Sequence, residues 1–338
     1  MSYKPPPEAI AAWVTRFFPD CKVRKNGEEL DIANPYGDTG RHLGINTKKA
    51  VCHDWRPGCT EANGSFIRFV MKFRDLPWAG AIREICGQGV DVRRILHANA
   101  TVEEREEIKA IDLPAGSIPF AEGGGGPLRS IALNYLRSRG VSEDLAIQKR
   151  LHFSASEIVF PYFEYEALVY WQARSILNKR FRFPPAPKTD FIYGFDDVEP
   201  CSDIILVESI FNAFSIGANA VATGGAALGE GSTEVAASGC LQVRKIRALD
   251  PQRVILAPDN DDAGRKSLAA NFFLLLPYFE GRIWFSLPPA VPMRSAQDRR
   301  AKDWNEVGQA LGWDRVRQAY EAGLRSLDQS VLMQESMA

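Results

Sequence analysis

The sequence predicts an α/β protein: a parallel sheet with covering helices, preceded by a small mixed αβ subdomain and a β-rich N-terminal domain. Three observations predict it. From residue 203 onward, strand-like and helix-like segments alternate, as in DIILVE, SIFNAFSIG, NAVATG, RVILAPD, DAGRKSLAANFFLLL and RIWFSL. Two of those strands run directly into acidic residues, at the end of a strand where α/β sheets bind ligands. The first part of the chain instead carries short alternating segments broken at turn residues such as Asn26-Gly27. A length of 338 residues exceeds what one core usually holds, so two or three domains are expected.

Composition removes several classes. The chain has 41 Lys and Arg against 42 Asp and Glu, and 45% hydrophobic residues, which is ordinary for a globular protein. The longest apolar stretch, NFFLLLPYF at 271–279, is too short for a bilayer and contains Pro277. The start, MSYKPPPEA, has no hydrophobic signal region, and six cysteines are too sparse for a disulfide framework, so a cytoplasmic protein without membrane partners is expected. Residues 1–98 carry 15 basic against 11 acidic residues, and residues 99–338 carry 26 against 31. A basic front and an acidic rear suit a protein that grips a polyanion and holds divalent cations, although random scatter fits these numbers equally.

The elements follow in order. Apolar residues at helical spacing in EAIAAWVTRFF, after Pro5 to Pro7, predict a first helix. VRKNGEELDI and RHLGINTKKAVCHDW read as strands of a small antiparallel sheet. GSFIRFVMKFRDLPWAGAIREICG then carries two apolar helical faces, closing a first domain at 1–98. The run EEREE at 103–107 and the glycines at 123–126 predict a linker over 99–127. A subdomain at 128–202 has a helical stretch with Ser142 as N-cap, then a hairpin, EIVFPYFEY and ALVYWQARSI, turning near Glu164–Glu166. The parallel sheet occupies 203–310, and 311–338 is expected as a helical tail.

The chemistry is expected at the acidic strand ends. DIILV runs into Glu208, and RVILAP runs into Asp259, Asn260, Asp261 and Asp262. Asp259 and Asp261, two apart in extended chain, can point the same way, and crowded carboxylates raise one another's pKa unless a cation lies between them. Such hard oxygen donors suit Mg²⁺ or Mn²⁺, which also recruit substrate phosphates. The competing reading is that Asp259 and Asp262 cap the following helix; acids at two strand ends favour the metal site.

VESIFNAF, ATGGAALG, APDNDDAGRKS and KDWNEVG resemble, in order and spacing, the Toprim fold of DnaG-type bacterial and phage primases. In that family a strand-end Glu, a DxD pair and a later KDxxE segment surround the metals, which implies Glu208, Asp259, Asp261 and Asp303 here. LNYLRSRGVSEDLAIQ resembles the helix before the primase catalytic core, and IVFPYFEYEALVYWQARSI resembles its leading hairpin. Basic residues after that hairpin bind nucleotide and template in the family; here they are Arg174, Lys179, Arg180 and Arg182. Residues 172–188 hold five basic residues, no acid, and Phe181 and Phe183 between them, a strip able to hold phosphates while rings stack on bases. The competing reading is an edge strand protected from aggregation by charge.

The first domain resembles the zinc-ribbon module of the same primases, with one departure. The first ligand turn has Asn34, Pro35, Tyr36 and Gly37, and the second has His53, Asp54 and Cys59. Tetrahedral zinc needs four donors, and Cys52, His53 and Cys59 with His42 supply them only at spacings unlike the ribbon's. A zinc-less variant, its space filled by Trp55 and other apolar groups, is therefore expected. Cys21, Cys86, Cys201 and Cys240 read as small core or surface groups, His97 and His152 have no partner motif, and Gly224-Gly225 reads equally as a tight turn or a phosphate approach.

The resemblance spans roughly residues 5–310. It implies a DNA primase making RNA primers on a single-stranded DNA template from nucleoside triphosphates, with Mg²⁺ or Mn²⁺ at the acids. The short stretch after KDWNEVG leaves no room for the helicase-binding domain of cellular primases, so a phage, plasmid or other mobile-element protein is expected, with a replicative helicase or the element's own replication protein as partner. The rivals are a Toprim metal-dependent nuclease, opposed by the hairpin and its basic strip, and a non-catalytic single-stranded-DNA-binding accessory protein, opposed by the intact acidic set.

Overall fold

In the computed structural model the chain divides into two units, Met1–Thr101 and Val102–Ala338. The structure describes residues 3–36, 40–56, 63–76, 78–92, 95, 110–200, 202–225, 227–229, 240–293 and 296–337; Cys59, His97, Cys201 and the acidic run at 103–107 lie outside them.

The first unit opens with helix α1 (Pro7–Phe17), whose first position is a proline, where the missing N–H costs nothing. Strands β1 (Lys22–Arg24), β2 (Glu29–Ile32), β3 (Leu43–Asn46), β4 (Val51–Asp54) and β5 (Gly64–Ser65) pair antiparallel in sequence order. The β1–β2 turn passes through positive φ at Lys25, Asn26 and Gly27, as the Asn-Gly pair predicts. Helices α2 (Phe66–Arg74) and α3 (Trp78–Cys86) follow. Ser65 caps α2 by accepting from the Arg68 N–H, and Asp75 ends it in the left-handed region, so the two apolar faces read in the sequence belong to two helices. Trp13 of α1 lies edge-on to Phe66, Phe69 and Phe73 of α2 and donates its indole N–H to Glu84 of α3 at 3.1 Å.

The ribbon-like turns differ from the expected apolar filling. Trp55 is 55% exposed and its ring covers Gly44 of β3, where any side chain would overlap it. Between the turns lies a buried polar cluster instead: Asn34 donates to Asp54 at 2.5 Å, and the Arg56 guanidinium reaches both Asp54 oxygens at 3.2 and 2.8 Å. Those bonds hold the Asp54 carboxyl well below the usual carboxylate range, the Arg56 side chain contributing most. Cys52 and His53 alternate along β4, Cys52 buried and His53 exposed, so successive side chains leave on opposite faces.

The second unit begins within the segment expected to be a linker. There β6 (Ile118–Pro119) leads to the fully buried Phe120, and the glycine tract turns through positive φ at Gly123, Gly125 and Gly126 into helix α4 (Gly126–Ser138). A Cβ on Gly125 would overlap the Phe153 ring, so the tract is a fitted turn over the core and the linker expectation fails from residue 118 onward. Helix α5 (Glu143–Gln148) is capped by Ser142, as expected. Strands β7 (His152–Phe153), β8 (Glu157–Glu164), β9 (Ala167–Ser175) and β10 (Phe181–Arg182) complete an antiparallel sheet ordered β10-β9-β8-β7-β6. Tyr165 and Glu166, both at positive φ, make the predicted hairpin turn between β8 and β9.

The main sheet contains β11 (Ile204–Val207), β12 (Ala220–Ala222), β13 (Val254–Leu256), β14 (Ile283–Phe285) and, past the β15 (Pro292–Met293) and β16 (Ala296–Arg300) ribbon, β17 (Arg325–Ser326). Its order is β12-β11-β13-β14-β17, parallel through β14, with β17 antiparallel at the edge. Helices α6 (Ile210–Ile216), α7 (Leu241–Ala248), α8 (Asp262–Phe279), α9 (Trp304–Leu311), α10 (Val316–Ala322) and α11 (Gln329–Met337) flank it. Helix α8 runs through Pro277, which sits in its last turn. Strand β11 is buried on both faces: Ile205 and Val207 join a core shared with hairpin residues Phe160 and Tyr162, while Ile204 and Leu206 join a second core with Leu268 and Phe272. Hairpin and parallel sheet therefore share one core. The expected helical tail also supplies β17, and its Tyr320, 1% exposed, is part of the shared core. No helix among the described residues is long and apolar enough to cross a membrane.

Candidate functional site

After β11 the chain turns to β12 on one side, then returns to β13 on the other, so the topological switch lies between β11 and β13. Open α/β sheets bind ligands in the crevice at such a point. Glu208 directly follows β11 and Asp259 lies three positions past the end of β13, which puts the two predicted acids on adjacent strand ends.

Asp259 accepts a hydrogen bond from the Asn212 side chain at 2.9 Å. Its carboxyl is pushed up to about 7, first by burial and then by the charges of Glu208 and Asp303. Glu208 is also raised, by burial foremost, with Asp261 and Asp303 adding repulsion; its Oε1 is buried and makes no hydrogen bond. Asp303 is raised by burial as well. Asp261 is lowered, because it accepts from the Gly264 N–H at 3.0 Å and faces the Lys302 ammonium at 3.2 Å.

Capping and site-building share these residues. Asp261 caps α8, in place of the Asp259 or Asp262 named by the competing reading, and Asp303 caps α9 by accepting from Glu306 N–H at 2.7 Å. A side chain at Gly264 would overlap the Asp259 carbonyl, so glycine lets the start of α8 press against the acidic loop. The Asn260 N–H bonds the Lys302 carbonyl at 2.6 Å, tying this loop to the Asp303 loop. Among the described residues, no three His, Cys, Asp or Glu side chains already converge as metal donors. Asp261 and Asp303 are turned to their helix N-termini, and Lys302 supplies the nearby positive charge. The orphaned Glu208 Oε1 and the raised carboxyls of Glu208, Asp259 and Asp303 fit a group that brings further positive charge.

The basic strip is divided by strand alternation. Arg174 on β9 stands opposite Phe181 on β10, and its guanidinium lies 5.2 Å from the ring centres of both Phe181 and Phe211. Arg174 lines a cleft of about 170 Å³ together with Phe181, Phe183, Lys188, Glu208 and Gly224. Arg182, one residue on, stands opposite Ala173 and makes a two-pronged ion pair with Glu157 at 2.9 and 2.6 Å, so it does not join Arg174 in the cleft. Lys179 and Arg180 are exposed in the loop before β10. Gly224 sits at φ 74°, and a Cβ there would meet Lys188 only at an ordinary contact distance of 3.9 Å, so the turn alone requires glycine.

Sequence reasoning missed Asn212, Lys302 and Lys188. Asn212 bridges Asp259 to the Asn305 N–H at 3.1 Å, linking α6 and α9 beneath the acids. Its place in the first turn of the helix that follows Glu208 was the available signal. Lys302 was visible beside Asp303, and Lys188 lay inside the counted strip.

No family model matches the chain, and no curated protein matches it. Among solved structures, it is similar to the Escherichia coli primase catalytic core, with 18% identity over 62% of this chain and 78% of that one, at a TM-score of 0.46. It is also similar to the primase fragment of the bacteriophage T7 primase-helicase protein, with 18% identity over 65% and 85% and a TM-score of 0.44. A DNA primase domain from Pseudomonas aeruginosa gives 18% over 62% and 77%, with a TM-score of 0.44.

Proposed function

We propose that the chain is a DNA primase that joins ribonucleotides on a single-stranded DNA template. One observation carries this reading: Glu208, whose carboxylate crowds that of Asp259 at the switch point of the parallel sheet, lines one cleft with Arg174 and Lys188. Glu208, Asp259, Asp261 and Asp303 are the residues that would hold Mg²⁺ or Mn²⁺. Bound there, the ion would supply Lewis-acid stabilisation of charge on the transferred phosphoryl group. Arg174 and Lys188 bind the phosphates of the nucleoside triphosphate. Glu208 Oε1, buried and unbonded, accepts the proton of the primer 3′-hydroxyl. Asn212 and the Gly264 contact fix Asp259, and Lys302 offsets the negative charge at Asp261. The exposed Lys179 and Arg180 hold the template backbone. A replicative helicase, or a replication protein of a mobile element, is the partner this reading implies.

The test is purified protein with single-stranded DNA, labelled ribonucleotides and Mg²⁺ or Mn²⁺. Short labelled products are expected, and the Asp259→Asn, Asp261→Asn double variant should make none. Cleaved template without incorporation would make it a nuclease, and binding without either would make it an accessory protein.

A further inference from the structure

Four aromatic rings in the second unit lie nearly parallel in sequence. Phe181 and Phe183 are 6.2 Å apart at 10°, Phe183 and Tyr170 are 6.3 Å apart at 23°, and Tyr170 and Phe191 are 4.8 Å apart at 17°. The inner rung Tyr170 is buried, but Phe181 and Phe183 are 42% and 40% exposed. Two phenylalanines held parallel at the surface, Phe181 on the two-residue edge strand β10 and Phe183 just past its end, contribute little to the core. Edge strands usually present charge rather than rings. Both rings line the cleft that also contains Arg174, Lys188 and Glu208. Arg174 packs across the Phe181 ring at 5.2 Å, so flat apolar surface and positive charge meet at one place.

A ligand matching these features has a flat aromatic ring at one end and phosphates at the other. We propose that Phe181 and Phe183 are the stacking platform for the base of the incoming nucleoside triphosphate, whose phosphates reach Arg174 and Lys188. This rests on the nucleotidyl-transfer reading above and assigns the base subsite within it. The cleft favours the free nucleotide over a template base, because rings and acid line one cleft of about 170 Å³ and are thus within one ligand's reach. Stacking tolerates any base, since every base has a π-face. The platform therefore supplies affinity and leaves base choice to template pairing.

Titration calorimetry in MgCl₂ with ATP and with inorganic tripolyphosphate separates ring from phosphate. The wild type should prefer ATP. The Phe181→Ala, Phe183→Ala double variant should lose about 5- to 150-fold in ATP affinity and keep its tripolyphosphate affinity. Phe181→Trp should retain ATP binding, with indole emission quenched by ATP and not by tripolyphosphate. That variant also guards against a folding defect in the alanine pair. Unchanged ATP affinity in the alanine pair would overturn the platform. Equal wild-type affinity for ATP and tripolyphosphate would overturn it too, while leaving the phosphate site standing. Binding of neither would remove the nucleotidyl-transfer reading along with it. A loss confined to oligo(dT), with ATP unaffected, would assign the rings to the template and overturn the nucleotide assignment.

Discussion

At the scale of the residue, Asp259 combines burial with like charge. Its carboxyl titrates at about 7 in the folded protein, against the ordinary value of 3.8, so folding favours its protonated form. It imposes no cost below about pH 4, a growing cost between about 4 and 7, and a constant cost above. Glu208 and Asp303 are shifted in the same direction. Asp261 is shifted the other way, and its contribution is present above its unfolded pKa and lost as pH falls through its lower folded one. Without divalent cations, the melting temperature should therefore fall between pH 5 and pH 8. Asp259→Asn should flatten that fall and melt higher than wild type at pH 8, since the amide still accepts from Asn212. A steeper fall in the variant would show that Asp259 is stabilised as the anion. The sequence showed that acids stand at two strand ends. It did not show that Asp261 and Asp303 also cap helices, because capping depends on where each helix starts, and one residue decides which aspartate serves.

At the scale of the element, the strip after β9 shows what a two-residue period does to a run of charges. Arg174 and Phe181 face the cleft, whereas Arg182 faces the other way and is paired with Glu157. Lys179 and Arg180 lie in a loop with side chains exposed. If they follow a phosphate backbone, the Lys179→Ala, Arg180→Ala pair should flatten the salt dependence of oligo(dT) binding by about 0.7 per lost contact. Arg182→Ala should leave the slope nearly unchanged, because its charge is already balanced. Salt titrations of the three proteins check this, and a larger change from Arg182→Ala than from the loop pair would reverse the assignment. The hairpin itself was legible from alternation and the turn residues. Which basic residues share a face was not, because the strand register against β9 sets it.

At the scale of the whole molecule, the two units differ in what holds them. In the first, the ribbon-like turns are joined by Asn34, Asp54 and Arg56, and neighbouring residues Cys52 and His53 leave their strand on opposite faces. Protein purified without chelator should contain well under one zinc per chain, and EDTA should not lower the melting temperature of this unit. Stoichiometric zinc with sulfur coordination would show that Cys52 and Cys59 converge. In the second unit, hairpin, parallel sheet and C-terminal segment share buried side chains, so the boundaries drawn at 202 and 310 do not separate independent cores.

The sequence by itself determined the alternation that makes a parallel sheet, the acids at the ends of β11 and β13, and the antiparallel hairpin before them. These are local properties: side-chain periodicity, turn residues and the chemistry of single positions are written in consecutive residues. The tertiary structure alone decided that β11 and β13 are neighbours, which brings Glu208 to Asp259, and that the tail from 311 onward returns to supply β17 and Tyr320. It also decided that the glycines at 123–126 form a turn packed on Phe153, and that Asn212 reaches Asp259 across 47 residues of chain. Such pairings depend on which distant surfaces exclude water together, and no window of consecutive residues contains both partners.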